Sequence, residues 1–443
     1  MKKQKILIPF LVLGAGIVSA SCGGPGKADN RTVVTFWSTI GKTNAAQFLD
    51  PMIKQFEKLH PDIKIKHTPQ GGYDDLKNAI SNNIGNGELP TMAYCYPDHV
   101  ADYLYAKAVL KLDDYIFNEE YGIGKEEGEE SFDDFIGSYL DEGRAYAEEG
   151  YYSLPFQKST EVLFYNKTVF DEKGWEVPAT WDEVWALCKT MKEDPDYGEK
   201  TPLGYDSSAN WMITYAAEAG IPYTTATGEE HFLFDNPQMK ALFTQLKGYY
   251  DKGYFTTQDI LSNFTSGKFT QEEILMTVGS SAGTAKQYAD SFEVGIAAVP
   301  QYDLNDGKVI TQGPSICFFN RATEKETLAG WEFYKFATNS LNGAIFSGKT
   351  GYMPVRQSSY SAAPIVETKS QTSGSDGLIA QLYKFIEDEE NNYAKWYYSS
   401  PVFRGSSVAR IQIGKAITAH LTGSKTVDEA LSDAMSTCIF AVE

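Results

Sequence analysis

The chain has 443 residues, 42% of them hydrophobic and 14% aromatic, and a formal net charge of −20. That composition is globular, and the acidic balance excludes nucleic acid as a partner, because phosphate binding needs a basic face. The length exceeds what a single hydrophobic core usually serves, so two lobes are expected.

Taken in chain order, residues 1–5 are basic, residues 6–18 are apolar, and Ser19, Ala20 and Ser21 are small. That order reads as an export signal over 1–21, with an apolar run too short to cross a bilayer. Cys22 follows directly and resembles the modified cysteine of a bacterial lipobox, with Ser19 where Leu is usual; a diacylglyceryl thioether there would hold the protein on a membrane. Residues 22–30 are glycine-rich and read as a flexible tether. Residues 32–37 are a β-rich run. Phe48, Leu49, Met52, Ile53, Phe56 and Leu59 then share one helix face, with Pro51 starting or bending that helix. Ile63, Ile65 and His67 alternate as a second strand. Leu76, Ile80 and Ile84 mark a second helix, and residues 90–96 a third strand. Strand, helix, strand, helix, strand at this spacing predicts a parallel α/β sheet, whose ligands sit at the carboxyl ends of the strands.

Other features point away from particular chemistries. The acidic stretch 125–134 lacks the alternation of an EF-hand loop and reads as a solvated segment. Cys95, Cys188, Cys317 and Cys438 have apolar or aromatic neighbours and wide spacings, which indicates buried thiols and neither a disulfide framework nor a metal site. The histidines show no HExxH or paired spacing, so neither a metal nor a cofactor is expected.

Several segments together resemble family 1 extracellular solute-binding proteins, the capture subunits of ABC importers for sugars and glycerol phosphates. The segments are residues 35–38, 56–65, 154–167 with its continuation through Trp181 and Glu183, and 349–355; the order is right along nearly the whole mature chain. The resemblance implies an α/β, two-lobe periplasmic-binding-protein fold of type II, with hinged lobes about a ligand cleft. It places lobe 1 at 31–154 plus 301–348 and lobe 2 at 155–300 plus 349–443. The crossings are expected near residues 153–155, 298–301 and 348–349, with lobe closure as the signal to a membrane permease. It implies no catalysis, a monomer, and a protein anchored by Cys22 at the cell surface or in the periplasm.

A cleft for polyols needs flat aromatic faces and a few placed polar groups. Trp37, Tyr73, Trp211 and Tyr352 are candidates from the residues. Tyr73 and Tyr352 sit beside turn glycines (Gly71 and Gly72, and Gly351), and the resemblance adds weight to both and, more loosely, to Trp211. For an anionic group, Ser280 and Ser281 stand where a strand turns into a helix, and Arg410 is suited to clamp a phosphate. The resemblance matches Arg410 to the phosphate arginine of the glycerol-phosphate-binding members and adds Ser159 and Gly313. Those members carry a glutamate after the third strand; here Pro97 or Asp98 stands there, so Asp98 is the expected acceptor for ligand hydroxyls. The ligand is therefore a sugar, a polyol phosphate or a glycerophosphodiester. The competing reading takes residues 279–283 as a G-x-S-x-G nucleophile elbow, with Ser281 and His420, plus Asp376 or Asp388, forming a lipid-anchored esterase. No HGGG-type oxyanion segment accompanies it.

Overall fold

The structure is a computed structural model and describes residues 29–388 and 393–443. The export signal, Cys22 and most of the tether lie outside the described residues.

The amino-terminal part runs β1 (Thr32–Ser38), α1 (Asp50–Leu59), β2 (Ile63–Pro69), α2 (Tyr73–Ile84), β3 (Met92–Cys95) and α3 (Pro97–Tyr105), then β4 (Leu154–Pro155). Thr32, Val34, Phe36 and Ser38 of β1 are buried, and so are Ile63 and Ile65 of the alternating β2. Pro51 stands in the first turn of α1, where a missing N–H costs nothing, and a π-helical turn at Ala45–Leu49 leads into it. Met52, Ile53 and Phe56 of the predicted stripe are buried, while Leu59 at the helix end is 61% exposed.

The second part runs β5 (Ser159–Asn166), α4 (Trp181–Glu193), β6 (Thr201–Tyr205), α5 (Ser208–Glu218), α6 (Pro237–Tyr250), β7 (Phe255–Thr257), β8 (Ile274–Ser280), β9 (Val294–Ala297) and β10 (Val309–Gln312). The chain then forms β11 (Ser315–Phe318), α7 (Glu324–Ala337), α8 (Ser340–Thr350), α9 (Gly374–Glu387), β12 (Tyr397–Tyr398), α10 (Ser406–Leu421) and α11 (Val427–Val442).

Two sheets result. The first has order β2-β1-β3-β11-β4, with β1 parallel to β2 and β3, and β11 antiparallel to β3. The second has order β12-β10-β5-β8-β6-β7, with β9 also pairing β5. Each sheet has its own apolar core, and a small third cluster of Ala344, Ile365, Ile379 and Tyr383 joins α8, α9 and the short helix Ala363–Lys369.

The sheets show where the chain crosses between lobes. It leaves the first sheet at β4 and enters the second at β5. Its return differs from the expectation. β10 pairs with β5 in the second sheet, so residues 301–312 lie with lobe 2, and the crossing falls at Gly313 and Pro314. Gln301 instead docks on the second lobe, its N–H donating to Ala179 O and its carbonyl accepting from Trp181 N. Gly313 is suited to the crossing because its φ of +85° is left-handed and a Cβ there would sit 2.2 Å from Gln157 O. Residues 353–356 also differ, belonging with the first lobe. Met353 and Val355 join its core, and the buried Arg356 donates to Thr338 O at 2.6 Å and Ser131 O at 3.0 Å. Met353 and Lys158 exchange backbone hydrogen bonds, which lays two crossing segments side by side.

Candidate ligand-binding cleft

The carboxyl ends of the parallel strands face each other across a cleft. One cavity of about 170 Å³ is lined by Tyr73, Tyr96 and Asp98 from the first lobe and by Thr311, Ser399 and Arg410 from the second. A neighbouring cavity of about 280 Å³ shares Tyr73 and Tyr96 and adds Ser159, Ser280, Gln312, Gly313 and Tyr352. Seven of the nine expected site residues therefore line two adjoining cavities: Tyr73, Asp98, Ser159, Ser280, Gly313, Tyr352 and Arg410.

The local sequence explains their placement. Tyr73 opens α2 directly after Gly71 and Gly72, whose turn is closed by Gly72 N–H donating to Asp75 Oδ2 at 2.9 Å. Its ring lies 4.6 Å from that of Tyr96. Tyr352 follows Gly351, the left-handed cap of α8, where a Cβ would come within 2.7 Å of Ser281 O. Burial pushes the Tyr73 and Tyr352 phenols well above their ordinary range, so both present neutral hydroxyls to the cleft. Asp98 lies in the first turn of α3, and Oδ1 accepts from His99 N at 3.1 Å. The buried His99 imidazole has its pKa lowered by desolvation, which favours the neutral form.

Arg410 projects from α10 with one hydrogen bond among the described residues, from Nη2 to Asn210 Oδ1. Asn210 Nδ2 in turn donates to Glu161 Oε1 at 2.7 Å. Glu161, 2% exposed on β5, also accepts from Tyr205 Oη at 2.6 Å and from Gln312 Nε2 at 3.1 Å. Sequence reasoning missed Glu161, Asn210, Gln312 and Tyr96. The available signal was a lone carboxylate inside the otherwise uncharged run Ser159–Asn166, because a buried charge in a strand demands partners.

Two expected residues lie elsewhere. Trp211 is 1% exposed and packs in the second core, stacked 5.1 Å from Tyr205 and edge-on to Phe255 at 5.0 Å. It stands next to Asn210 on α5, whose buried amide meets Glu161 and the cleft residue Arg410 while the indole turns into the core. Ser281 is fully buried and accepts from Thr160 N at 3.2 Å. Ser280 does line the cleft, but its hydroxyl also caps the short 3₁₀ helix by accepting from Ala282 N at 3.3 Å. His420 packs against Phe243 at 6.1 Å, and its Nδ1 lies 3.4 Å from Lys425 O. Ser281 and His420 thus have separate partners in separate surroundings. Cys95, Cys188, Cys317 and Cys438 are buried free thiols, as their neighbours predicted.

The lobes also touch outside the cavities. Asp102 on α3 accepts from Gly405 N at 3.0 Å and Ser407 Oγ at 3.1 Å at the start of α10, and pairs with Lys77 at 2.8 Å. Arg404 lies 3.9 Å over the Tyr105 ring. This contact joins the helix bearing Asp98 to the helix bearing Arg410.

A two-lobe α/β protein with a polar, aromatic-rimmed cleft between its sheets defines a class of small-molecule receptors. The model of the bacterial extracellular solute-binding protein family matches residues 51–371, and the chain belongs to that family. Among its relatives, the sn-glycerol-3-phosphate-binding periplasmic protein UgpB of Escherichia coli (strain K12) is 25% identical over 430 residues, covering 93% of this chain and 92% of that one. UgpB from Mycobacterium tuberculosis, solved in complex with glycerophosphocholine, superposes with a TM-score of 0.72 at 17% identity, covering 92% of this chain and 98% of that one. The GacH receptor of Streptomyces glaucescens, solved unliganded and with acarbose, gives a TM-score of 0.72 at 17% identity, covering 93% and 98%. The two solved structures establish the shared fold.

Proposed function

We propose that the protein captures a phosphate-bearing polyol, of the glycerol phosphate or glycerophosphodiester class, and delivers it to an ABC permease. The observation that carries this reading is the pairing of opposite charges across one cavity. Asp98 comes from the first lobe, where Asp74 and the Lys158-paired Glu142 also line the cavity, and Arg410 from the second; no ion pair joins Asp98 to Arg410 among the described residues. A ligand with an anionic group and hydroxyl donors satisfies both at once: the guanidinium takes the phosphate and the carboxylate takes the hydroxyls. Because the two groups belong to different lobes, such a ligand favours the closed state by its differential contacts. The similarity to UgpB supports the same ligand class.

Tyr73, Tyr96 and Tyr352 supply the aromatic walls, and Ser159, Ser280, Gln312 and Gly313 are among the polar lining of the second cavity. In this reading the lobes meet as two hinged units, the protein acts without catalysis, and Cys22 carries the lipid that keeps it beside its permease. A Cys22→Ser variant is expected to leave the membrane fraction. Isothermal calorimetry with sn-glycerol-3-phosphate, glycerophosphocholine and maltose tests the ligand class. Binding of either phosphate compound without turnover supports it, and binding of maltose alone refutes it.

A further inference from the structure

Glu161 is a buried carboxylate that reaches both cavities through its partners. Its Oε1 receives Asn210 Nδ2 and Gln312 Nε2, and its Oε2 receives Tyr205 Oη. An ionised carboxylate only accepts, so both amides must turn their NH₂ groups toward it. Asn210, 4% exposed, is thereby forced to present Oδ1 to Arg410 Nη2. Gln312, which lines the second cavity, is fixed in the same way. One guanidinium N–H is spent on Asn210, and the side chain that carries the others lines the cavity.

We propose that Glu161 is the positioning residue of the anion subsite: through Asn210 it aims the Arg410 guanidinium into the cleft, and it makes capture of a phosphate group proton-coupled. The proposal rests on the reading of the cleft as a phosphate site. Its coupling follows from the charges around Glu161. Burial raises the carboxyl to about 7; the hydrogen bonds from Tyr205 and Asn210 and then the Arg410 charge favour the ionised form, and Asp206 disfavours it. The other titratable neighbours are Tyr205 on β6 and Tyr393, whose hydroxyl donates to Glu161 O at 2.7 Å. On β8 the paired residue is Ser280, which does not titrate. A phosphate arriving at Arg410 cancels part of the positive field that holds Glu161 ionised. The carboxyl pKa then rises further and a proton is taken up. By linkage, phosphate affinity falls as pH rises through about 7. Once protonated, Glu161 donates from Oε2 to Tyr205 Oη, while Oε1 still accepts from both amides, so the geometry survives.

The test is calorimetry of the mature chain with glycerophosphocholine, whose phosphodiester keeps its charge across about pH 6–8, in buffers of different ionisation enthalpy. If sn-glycerol-3-phosphate is the tighter probe, comparison with Glu161→Gln subtracts the ligand's own ionisation and that of His99. The wild type is expected to take up protons on binding and to lose affinity a few-fold from about pH 6 to about pH 8. Glu161→Gln is expected to bind with no proton uptake attributable to the protein and a flat profile. Glu161→Ala is expected to bind roughly tenfold more weakly at every pH, because the amides are released. A Glu161→Gln variant that keeps the wild-type slope and proton count overturns the inference, as does a folded Glu161→Ala variant with wild-type affinity. Should Glu161→Ala fail to fold, Glu161→Gln decides alone. A wild type that binds neither phosphate probe sinks the phosphate reading and this inference together; a wild type that binds one, with indifferent variants, sinks this inference only.

Discussion

The two ends of the cleft contrast in how their polar groups are used. At the Ser280–Ser281 end the hydroxyls are held internally: Ser280 caps the following turn and Ser281 holds Thr160. At the Arg410 end the guanidinium makes one bond among the described residues, to a side chain that is itself held by a buried carboxylate. Residues that look equally suited to an anion in sequence therefore differ in what they have left to offer a ligand. Affinity should reside at the arginine end, and the serine end should set shape.

Four measurements sharpen or break that contrast. The largest effect is expected from Trp211→Ala, which empties an indole-sized volume in the second core and should cost about 3–5 kcal/mol of stability in denaturant unfolding. Its effect on ligand binding should follow only from that loss. Next, Arg410→Ala should weaken a phosphate ligand by about 1.5–3 kcal/mol, the scale of a hydrogen bond to a charged group. Calorimetry showing unchanged phosphate affinity would move the anion site away from the arginine end. Third, Asp102→Ala removes the bonds to Gly405 and Ser407 that join the lobes. Affinity should fall roughly three- to tenfold as the closed state loses weight, with small-angle scattering reporting a more open apo form. The smallest effect on binding is expected from Ser281→Ala: about 1–3 kcal/mol in stability, because the buried Thr160 N–H loses its acceptor, unchanged ligand affinity, and no p-nitrophenyl ester cleavage before or after substitution. Ester cleavage abolished by that change would restore the esterase reading.

The buried carboxylates add a pH signature to the second lobe. Burial raises Glu161 to about 7 and Glu218 to about 8, against an ordinary value of 4.5. A carboxyl raised in the folded state binds more protons there than in the unfolded chain. These groups therefore contribute stability that is full below the ordinary value and is lost as pH rises through the folded values. Glu218 accepts from Tyr302 N, away from Arg410. Substitution Glu218→Gln should flatten the fall in melting temperature between about pH 5 and 8 without altering the pH profile of ligand binding. Glu161→Gln should alter both.

Much of the fold was legible because it depends on local pattern. The β2 alternation, the α1 stripe and its Pro51 start, and the turn before Tyr73 follow from periods of 2 and 3.6 and from glycine and proline chemistry. The crossings were less legible. Ala298–Gln301 has the look of an extended linker, yet it packs on Ala179 and Trp181, and the crossing is at Gly313. Sequence shows that a segment is extended but not which sheet receives it, since that depends on partners more than a hundred residues away.

The same division holds for the site. By itself the sequence determined the class of receptor through its resemblance to a known family, and it offered Asp98, Arg410 and the tyrosines beside turn glycines as candidates for the cleft, because short segments carry both the resemblance and the turns. Tertiary structure alone decided that Trp211 is core while its neighbour Asn210 serves the cleft, and that Ser281 is enclosed while Ser280 reaches the cavity. It also decided that Glu161 stands behind the arginine. Those outcomes depend on which face of a helix or strand meets the other lobe, and on buried polar groups finding partners across β5, β6, α5 and α10, which are far apart in the chain and adjacent only once folded.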